Sequence, residues 1–259
     1  MKNFAVKDFV VKHPVARIFA AAFVALIAGP AMAGETKVAV AANFTEPATE
    51  IAKLFAEKTG HTAVLAFGAT GQFYTQITQG APFEVFLAAD NIRPTKAVAD
   101  GFGVPGTVFT YAEGQLVLWS PKGEAGAEAL KGDFQHLAIA NPEAAPYGLA
   151  AVQTLKSLGL YDRLEPRIVQ GANISQALQF VETGNAEMGF VALSQVVGKG
   201  GGQWVVPAAG HHDPILQDAV LLKVGAENEA AKAFLAFLRG PEAAKVIRAF
   251  GYTIPAATN

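Results

Sequence analysis

The sequence predicts an α/β protein folded as a two-lobed clamshell, in which each lobe has a mainly parallel sheet flanked by helices and two crossings join the lobes. Short apolar strands alternate with amphipathic helices, and the extended segment Thr107–Trp119 interrupts this alternation before a second series begins. A final strand and two helices then follow. We therefore expect residues 34–116 and 219–259 to form lobe 1 and residues 117–218 to form lobe 2.

The N-terminus has the pattern of a secretory signal peptide. Four basic residues and Asp8 lie within Met1–Arg17, the apolar run Ile18–Gly29 follows, and the segment ends at Ala33. We predict that residues 1–33 are a leader cleaved after Ala33 and that the protein is exported. A membrane anchor is the alternative, but the run is shorter than the roughly 20 residues of a spanning helix.

Composition excludes several classes of function. The chain of 259 residues has 20 basic and 22 acidic residues, and removal of the basic leader leaves a more acidic protein without a basic stripe for nucleic acid. The absence of cysteine excludes disulfides, thiol nucleophiles, thiolate metal sites and a lipidated N-terminal cysteine. We expect a monomer without a cofactor.

Lobe 1 begins with a strand, Lys37–Ala42, and a helix that opens at Thr45 and stops at Gly60. This helix has an apolar face at positions i, i+3, i+4 and i+7, formed by Ala48, Ile51, Ala52 and Phe55. The remaining elements predicted before the first crossing are the strand Thr62–Phe67, a short helix after Gly68-Ala69-Thr70-Gly71, the strand Phe83–Ala88 and the helix Pro94–Asp100.

Lobe 2 repeats the alternation of strand and helix. Its predicted elements are the strand His136–Ala140, the helix Gly148–Leu158, the strand Arg167–Val169, the helix Ser175–Thr183 and the strand Glu187–Leu193. The strand Gln217–Lys223 would then cross back, and the helices Glu227–Leu238 and Pro241–Phe250 would complete lobe 1.

The common enzyme signatures are absent from this sequence. It has no G-x-S-x-G elbow, no H-E-x-x-H, no S-x-x-K set and no P-loop. The adjacent His211 and His212 lack a carboxylate at helical spacing, so a polar surface loop is expected rather than a metal site. Asp90 is interpreted as an acidic helix cap.

Four turns that join a strand to a helix have a common composition of small residues and uncharged donors. They are Ala41-Ala42-Asn43-Phe44-Thr45, Gly68-Ala69-Thr70-Gly71, Ala145-Pro146-Tyr147-Gly148 and Gly171-Ala172-Asn173-Ile174. In open α/β sheets ligands bind beyond the carboxyl ends of the strands. If all four turns face one cleft, helix N-termini and neutral donors converge there, which suits a compact tetrahedral oxyanion. The alternative is that each turn only caps its own helix.

The sequence also resembles a known family, the periplasmic molybdate-binding (ModA-like) proteins of ABC importers. The resemblance spans almost all of the chain after the leader. The segments that carry it are VAVAANFTEP, AFGATGQFYTQITQGAPFEVFLAAD, FTYAEGQLVLWSP, IANPEAAPYGLAA, GANISQALQFVETGNAEMGFVAL and RGPEAAKVIRAFGYTIP. It implies a type II periplasmic binding protein that captures molybdate, and usually tungstate, between its lobes and delivers it to a membrane permease.

The family contacts transfer to Asn43, Thr70, Tyr147 and the backbone N–H of Ile174, with Ala42 as a further candidate. Molybdenum would enter only as the oxyanion, without direct protein ligands to the metal. Many family members have a small residue at the position of Tyr147 and a tyrosine at the position of Ala192, and this sequence reverses the pair. The simplest account is that the phenol reaches the same anion from the other strand.

Two other functions remain open on the sequence alone. One is a receptor for sulfate, phosphate or a small carboxylate, which would use the same kind of turns. The other is an exported hydrolase or lyase that uses Asp90 and a histidine, which the missing triad and metal spacings disfavour.

Overall fold

The computed structural model describes residues 1–2 and 33–255. Its strands and helices in chain order are β1 (Glu35–Ala41), α1 (Thr45–Thr59), β2 (Thr62–Gly68), α2 (Thr70–Thr78), β3 (Val85–Leu87), α3 (Ile92–Ala99), β4 (Phe109–Gly114), β5 (Leu116–Ser120), β6 (Leu137–Ala140), α4 (Pro146–Ser157), α5 (Tyr161–Leu164), β7 (Ile168–Gly171), α6 (Ile174–Glu182), β8 (Met188–Ala192), β9 (Gly202–Val205), β10 (Ile215–Leu221), α7 (Glu229–Leu238) and α8 (Pro241–Ala249). The predicted leader lies outside the described residues, apart from Met1, Lys2 and Ala33. Among the described helices, none has the length and apolarity needed to cross a membrane.

The strands form two five-stranded sheets, in the orders β2-β1-β3-β10-β4 and β7-β6-β8-β5-β9. In each sheet a single strand runs against the other four: β10 pairs antiparallel with β3 and β4, and β5 pairs antiparallel with β8 and β9. Each of these strands is the one that enters its sheet from a crossing. The sheets are therefore mixed, and the parallel strands carry the βα turns predicted from the sequence.

The chain passes from one sheet to the other at positions slightly different from the expected lobe limits of 116/117 and 218/219. Leu116 already pairs with Ala192 in the second sheet, so the first change falls at Gln115. β10 pairs with β4 from Ile215 onward, so the second change precedes that residue. The local sequence does not encode these limits, because strand register depends on partners that are far away in the chain.

Helix α1 shows how the local sequence builds the core of lobe 1. Its apolar face buries Ile51 and Phe55, and its C-terminus is closed by Gly60, whose φ of 76° lies in the left-handed region. The Phe55 ring packs edge-on against Phe234 of α7, with 5.2 Å between ring centroids. Helices α1, α7 and α8 thus cover one face of the first sheet.

Two elements were not predicted, β9 and the short helix α5. The sequence before β9 contains Gly198, Gly200 and Gly201, which indicate a loop, and β9 has only four residues. Its pairing with β5 decides its conformation, because the ladder from Val117↔Val205 to Ser120↔Gly202 supplies backbone hydrogen bonds to this short strand.

Phe55→Ala tests the core of lobe 1. We expect the free energy of unfolding to fall by about 3 to 5 kcal/mol, because the substitution removes a fully buried ring and leaves a cavity. Denaturant unfolding followed by circular dichroism measures the change. Glu57→Ala, on the exposed side of the same helix, is the control and should stay within about 0.5 kcal/mol of the parent. Equal effects of the two substitutions would contradict this packing.

Candidate anion site between the lobes

The four turns singled out in the sequence meet at one small cavity between the two lobes. The residues that line it are Ala41, Ala42, Asn43, Gly68, Ala69, Thr70, Ala89, Ala145, Pro146, Tyr147, Asn173 and Ile174. The cavity volume is about 10 Å³, far below the range of roughly 300 to 1,000 Å³ typical of sites for drug-sized ligands. None of the twelve lining residues has a charged side chain. The prediction that these turns share one cleft is confirmed, and the cavity suits a compact ligand.

Thr70 begins α2 and is buried. Its hydroxyl oxygen accepts a hydrogen bond from the backbone N–H of Ala89, at 3.0 Å. A hydroxyl has one proton and two acceptor lone pairs, so this contact fixes the oxygen and leaves the proton to be donated. Thr70 is therefore an oriented, uncharged donor at the start of a helix.

Tyr147 lies in the first turn of α4 and is 1% exposed. Its phenol oxygen is buried near the side chains of Asn43 and Tyr252, but it makes no hydrogen bond of normal geometry within the described residues. Burial raises the pKa of the Tyr147 phenol well above its usual value, so the group keeps its proton at neutral pH. An unpaired buried hydroxyl costs free energy, and a ligand oxygen within reach would supply the missing partner.

The Asn43 side chain points into a buried polar network and does not offer an unpaired N–H to the cavity. Its Nδ2 donates to Gln217 Oε1 at 2.5 Å and to the Tyr252 hydroxyl at 2.9 Å, which uses both amide protons. The Asn43 carbonyl accepts from Ser194 Oγ at 2.8 Å. The side-chain donor expected at Asn43 is thus already committed, and the backbone N–H groups at the start of the short 3-10 turn Ala42–Phe44 are the donors that this turn can offer.

Sequence reasoning missed the partners of Asn43. All three partners are buried: Gln217 lies in β10, Tyr252 in the C-terminal segment and Ser194 in the turn after β8. Burial raises the pKa of Tyr252 to about 12, so this phenol also remains protonated. The only signal in the sequence was a glutamine inside an apolar strand, which is ambiguous because strands often have one solvated face.

Ile174 is the first residue of α6 and is buried. The preceding Asn173 caps this helix, since its Oδ1 accepts from the backbone N–H groups of Ser175 and Gln176, both at 3.0 Å. The cap serves the second and third N–H groups of the helix and leaves out the first, that of Ile174. The same turn therefore contains a helix cap and a backbone donor, the N–H of Ile174, that the cap does not use.

The lobes touch across the cleft. The Gly71 N–H of lobe 1 donates to the Ala144 carbonyl of lobe 2 at 2.8 Å. Ser175 Oγ of lobe 2 donates to the Ala42 carbonyl of lobe 1 at 3.2 Å. Arg93 adds a third contact by donating to the Glu143 carbonyl at 2.9 Å. The structure is thus a closed form of the clamshell.

The other polar residues considered from the sequence have structural roles. Asp90 accepts from the backbone N–H of Arg93 at 2.8 Å, which confirms its interpretation as a helix cap, and it also forms an ion pair with the Arg93 side chain. His211 lies beside Ser157 Oγ, and no group of three or more metal-binding side chains occurs among the residues that the structure describes. Ala192 is fully buried at the end of β8 and does not line the cavity.

Comparison with known proteins agrees with this architecture. A family model described as bacterial extracellular solute-binding protein matches residues 36–253. The chain belongs to this family. It is therefore a solute-binding protein, which agrees with an uncharged cavity between two lobes.

Two curated relatives are similar over nearly the whole chain. A protein of Rhodobacter capsulatus named molybdate-binding protein ModA is 60% identical over 238 residues, which cover 90% of this chain and 94% of the relative. A protein of the same name from Azotobacter vinelandii is 52% identical over 246 residues, covering 92% and 97%.

The solved structures include an Azotobacter vinelandii periplasmic molybdate-binding protein. It superimposes with a TM-score of 0.82 at 42% identity, covering 85% of this chain and all of that one. A Mycobacterium tuberculosis sulfate-binding protein, SubI, shares the fold with a TM-score of 0.70, but its identity is only 11%. The fold alone therefore does not distinguish one oxyanion from another.

Thr70→Val tests the local role of the hydroxyl in the absence of ligand. We expect the free energy of unfolding to fall by about 1 to 3 kcal/mol, because the buried N–H of Ala89 loses its acceptor. Thr70→Ser keeps the oxygen and should restore most of the stability. Denaturant unfolding of the two variants checks this, and a valine variant as stable as the serine variant would contradict the assignment.

Proposed function

We propose that this chain is the solute-binding component of a molybdate ABC importer and that it holds the anion in the cavity between its lobes. The observation that carries the proposal is the convergence of four helical starts on one small, uncharged, buried space. The two curated relatives named as molybdate-binding proteins support the choice of anion. The chain is a transport protein and not an enzyme.

Four groups would donate to the anion. They are the backbone N–H of Asn43, the hydroxyl of Thr70, the phenol of Tyr147 and the backbone N–H of Ile174, and the N–H of Ala42 is a further candidate. Thr70 and Tyr147 both hold a proton that no other described group accepts. A hydrogen bond to a charged group contributes about 1.5 to 3 kcal/mol, so several fixed donors can bind a dianion without a cation.

The same donors account for selectivity against other oxyanions. Phosphate is partly protonated at neutral pH, and its O–H group would meet donors and remain unpaired. Sulfate is smaller, so donors spaced for the larger metal oxyanion cannot all reach it. Tungstate closely matches molybdate in size and shape and would bind as well.

In the cell the protein would be processed after Ala33, act in the periplasm as a monomer without a cofactor, and deliver its anion to a membrane permease. Molybdate would bridge the two lobes and favour the closed arrangement, in which Gly71 and Ala144 are in contact. A hydrolase that uses Asp90 is disfavoured, because this carboxylate caps α3 and pairs with Arg93.

Thermal unfolding with a panel of anions tests this function. At a concentration 100 times the Kd, a ligand that binds only the folded protein adds about 2.7 kcal/mol of stability, which corresponds to roughly 5 to 10 °C in Tm for a chain of this size. We expect molybdate and tungstate to produce this shift. Sulfate, phosphate and acetate at the same concentration should leave Tm unchanged. A large shift with sulfate and none with molybdate would refute the proposal.

Tyr147→Phe separates ligand binding from folding. We expect molybdate affinity, measured by calorimetry, to fall about 10-fold or more, because a donor to a charged oxygen is lost. The Tm without ligand should stay the same or rise, since the deleted hydroxyl has no partner. Tyr161→Phe, whose hydroxyl pairs with Glu165 outside the cavity, is the matched control and should bind normally. Unchanged affinity in Tyr147→Phe would exclude the phenol as a ligand.

A further inference from the structure

The phenol of Tyr147 rests on a residue that has no side chain, Gly114, the last residue of β4. A Cβ atom built on Gly114 would lie 1.9 Å from the Tyr147 hydroxyl oxygen and 2.9 Å from Cζ of the same ring. Non-bonded carbon atoms are normally about 3.5 to 4.0 Å apart. Any residue other than glycine at this position must therefore displace the phenol.

The backbone of Gly114 does not itself require glycine. The residue lies in a strand, pairs with Ile215 of β10, and is absent from the described glycines with positive φ. Other residues adopt strand conformation readily. The position needs glycine because of the space that the Tyr147 ring occupies, and not because of its dihedral angles.

The displaced phenol would have little room elsewhere. Tyr147 is almost fully buried, and the next residue, Gly148, approaches the end of β6 so closely that a Cβ there would lie 2.1 Å from the Ala140 carbonyl oxygen. The first turn of α4 is thus tightly packed on β6. In a close-packed interior, adding one methyl group forces side chains or backbone to shift.

Gly114 also lies where the two lobes join. It directly precedes Gln115, the residue at which the chain changes sheet. The Cβ position of Gly114 also lies 3.5 Å from Gln217 Oε1, the atom that accepts a hydrogen bond from Asn43. One backbone position therefore borders a donor of lobe 2 and the network that holds a turn of lobe 1.

We propose that Gly114 is a positioning residue of the anion site, whose missing side chain lets the Tyr147 phenol occupy its buried place at the junction of the lobes. This inference rests on the proposed function, because it assigns Gly114 a role through the Tyr147 donor. It also identifies a feature that a tyrosine at position 147 requires, namely a glycine at position 114.

A double-mutant cycle tests the proposal. Molybdate affinity is measured by calorimetry for the parent, Gly114→Ala, Tyr147→Ala and the double variant, and Tm without ligand is measured for all four. We expect Gly114→Ala to bind about 10-fold or more weakly than the parent. In the Tyr147→Ala background the same substitution should cause no further loss, because the removed ring no longer clashes. Gly126→Ala, which has no atom within 4 Å of its Cβ, is the control and should bind like the parent.

Two results would overturn the inference directly. Parent-like affinity of Gly114→Ala, or an equal loss of affinity in both backgrounds, would mean that Gly114 does not act through Tyr147. If Gly114→Ala fails to fold, the double variant decides: recovery of a cooperative melt supports the steric pairing, and continued failure refutes it. If the parent itself does not bind molybdate, the proposed function fails, and the inference fails with it. Molybdate binding by the parent thus tests the proposed function, and the double-mutant cycle tests the role of Gly114.

Discussion

The main constraint on this structure is the set of N–H groups at the beginning of its helices. The first N–H groups of a helix have no partner within that helix and must find one elsewhere. Here four such starts are buried together between two lobes, where water is largely excluded and an unpaired donor is costly. Some are satisfied by the protein, as in the cap that Asn173 provides for α6. The donors left over define the proposed anion site.

The rest of the fold places these donors and keeps them fixed. Parallel strands bring their turns to one edge of each sheet, while the antiparallel strands β5 and β10 connect the lobes. Behind the cavity, Asn43 is held by Gln217 and Tyr252, so the turn that contains it cannot reorient without breaking buried hydrogen bonds. Because the donors are neutral, their positions must be accurate, since no long-range charge compensates for a misplaced group.

The sequence predicted the order of the elements and the four turns well, because both follow from local signals. Apolar periodicity, Gly60 and the small residues of the turns are all visible within short windows. The direction of the Asn43 side chain was not predictable. It depends on Gln217 and Tyr252, which are 174 and 209 residues away. The exact crossing points and the strand β9 were missed for the same reason, since pairing with distant strands determines them.

In a site without charged side chains, the number of hydrogen-bond donors does not change with pH near neutrality. Backbone N–H groups and the Thr70 hydroxyl do not titrate in the physiological range, and burial keeps the Tyr147 phenol protonated. The affinity of such a site then depends on how many donors reach the anion at once, and therefore on how completely the lobes close. The packing of the Tyr147 phenol against Gly114 places one of these donors beside a crossing between the lobes.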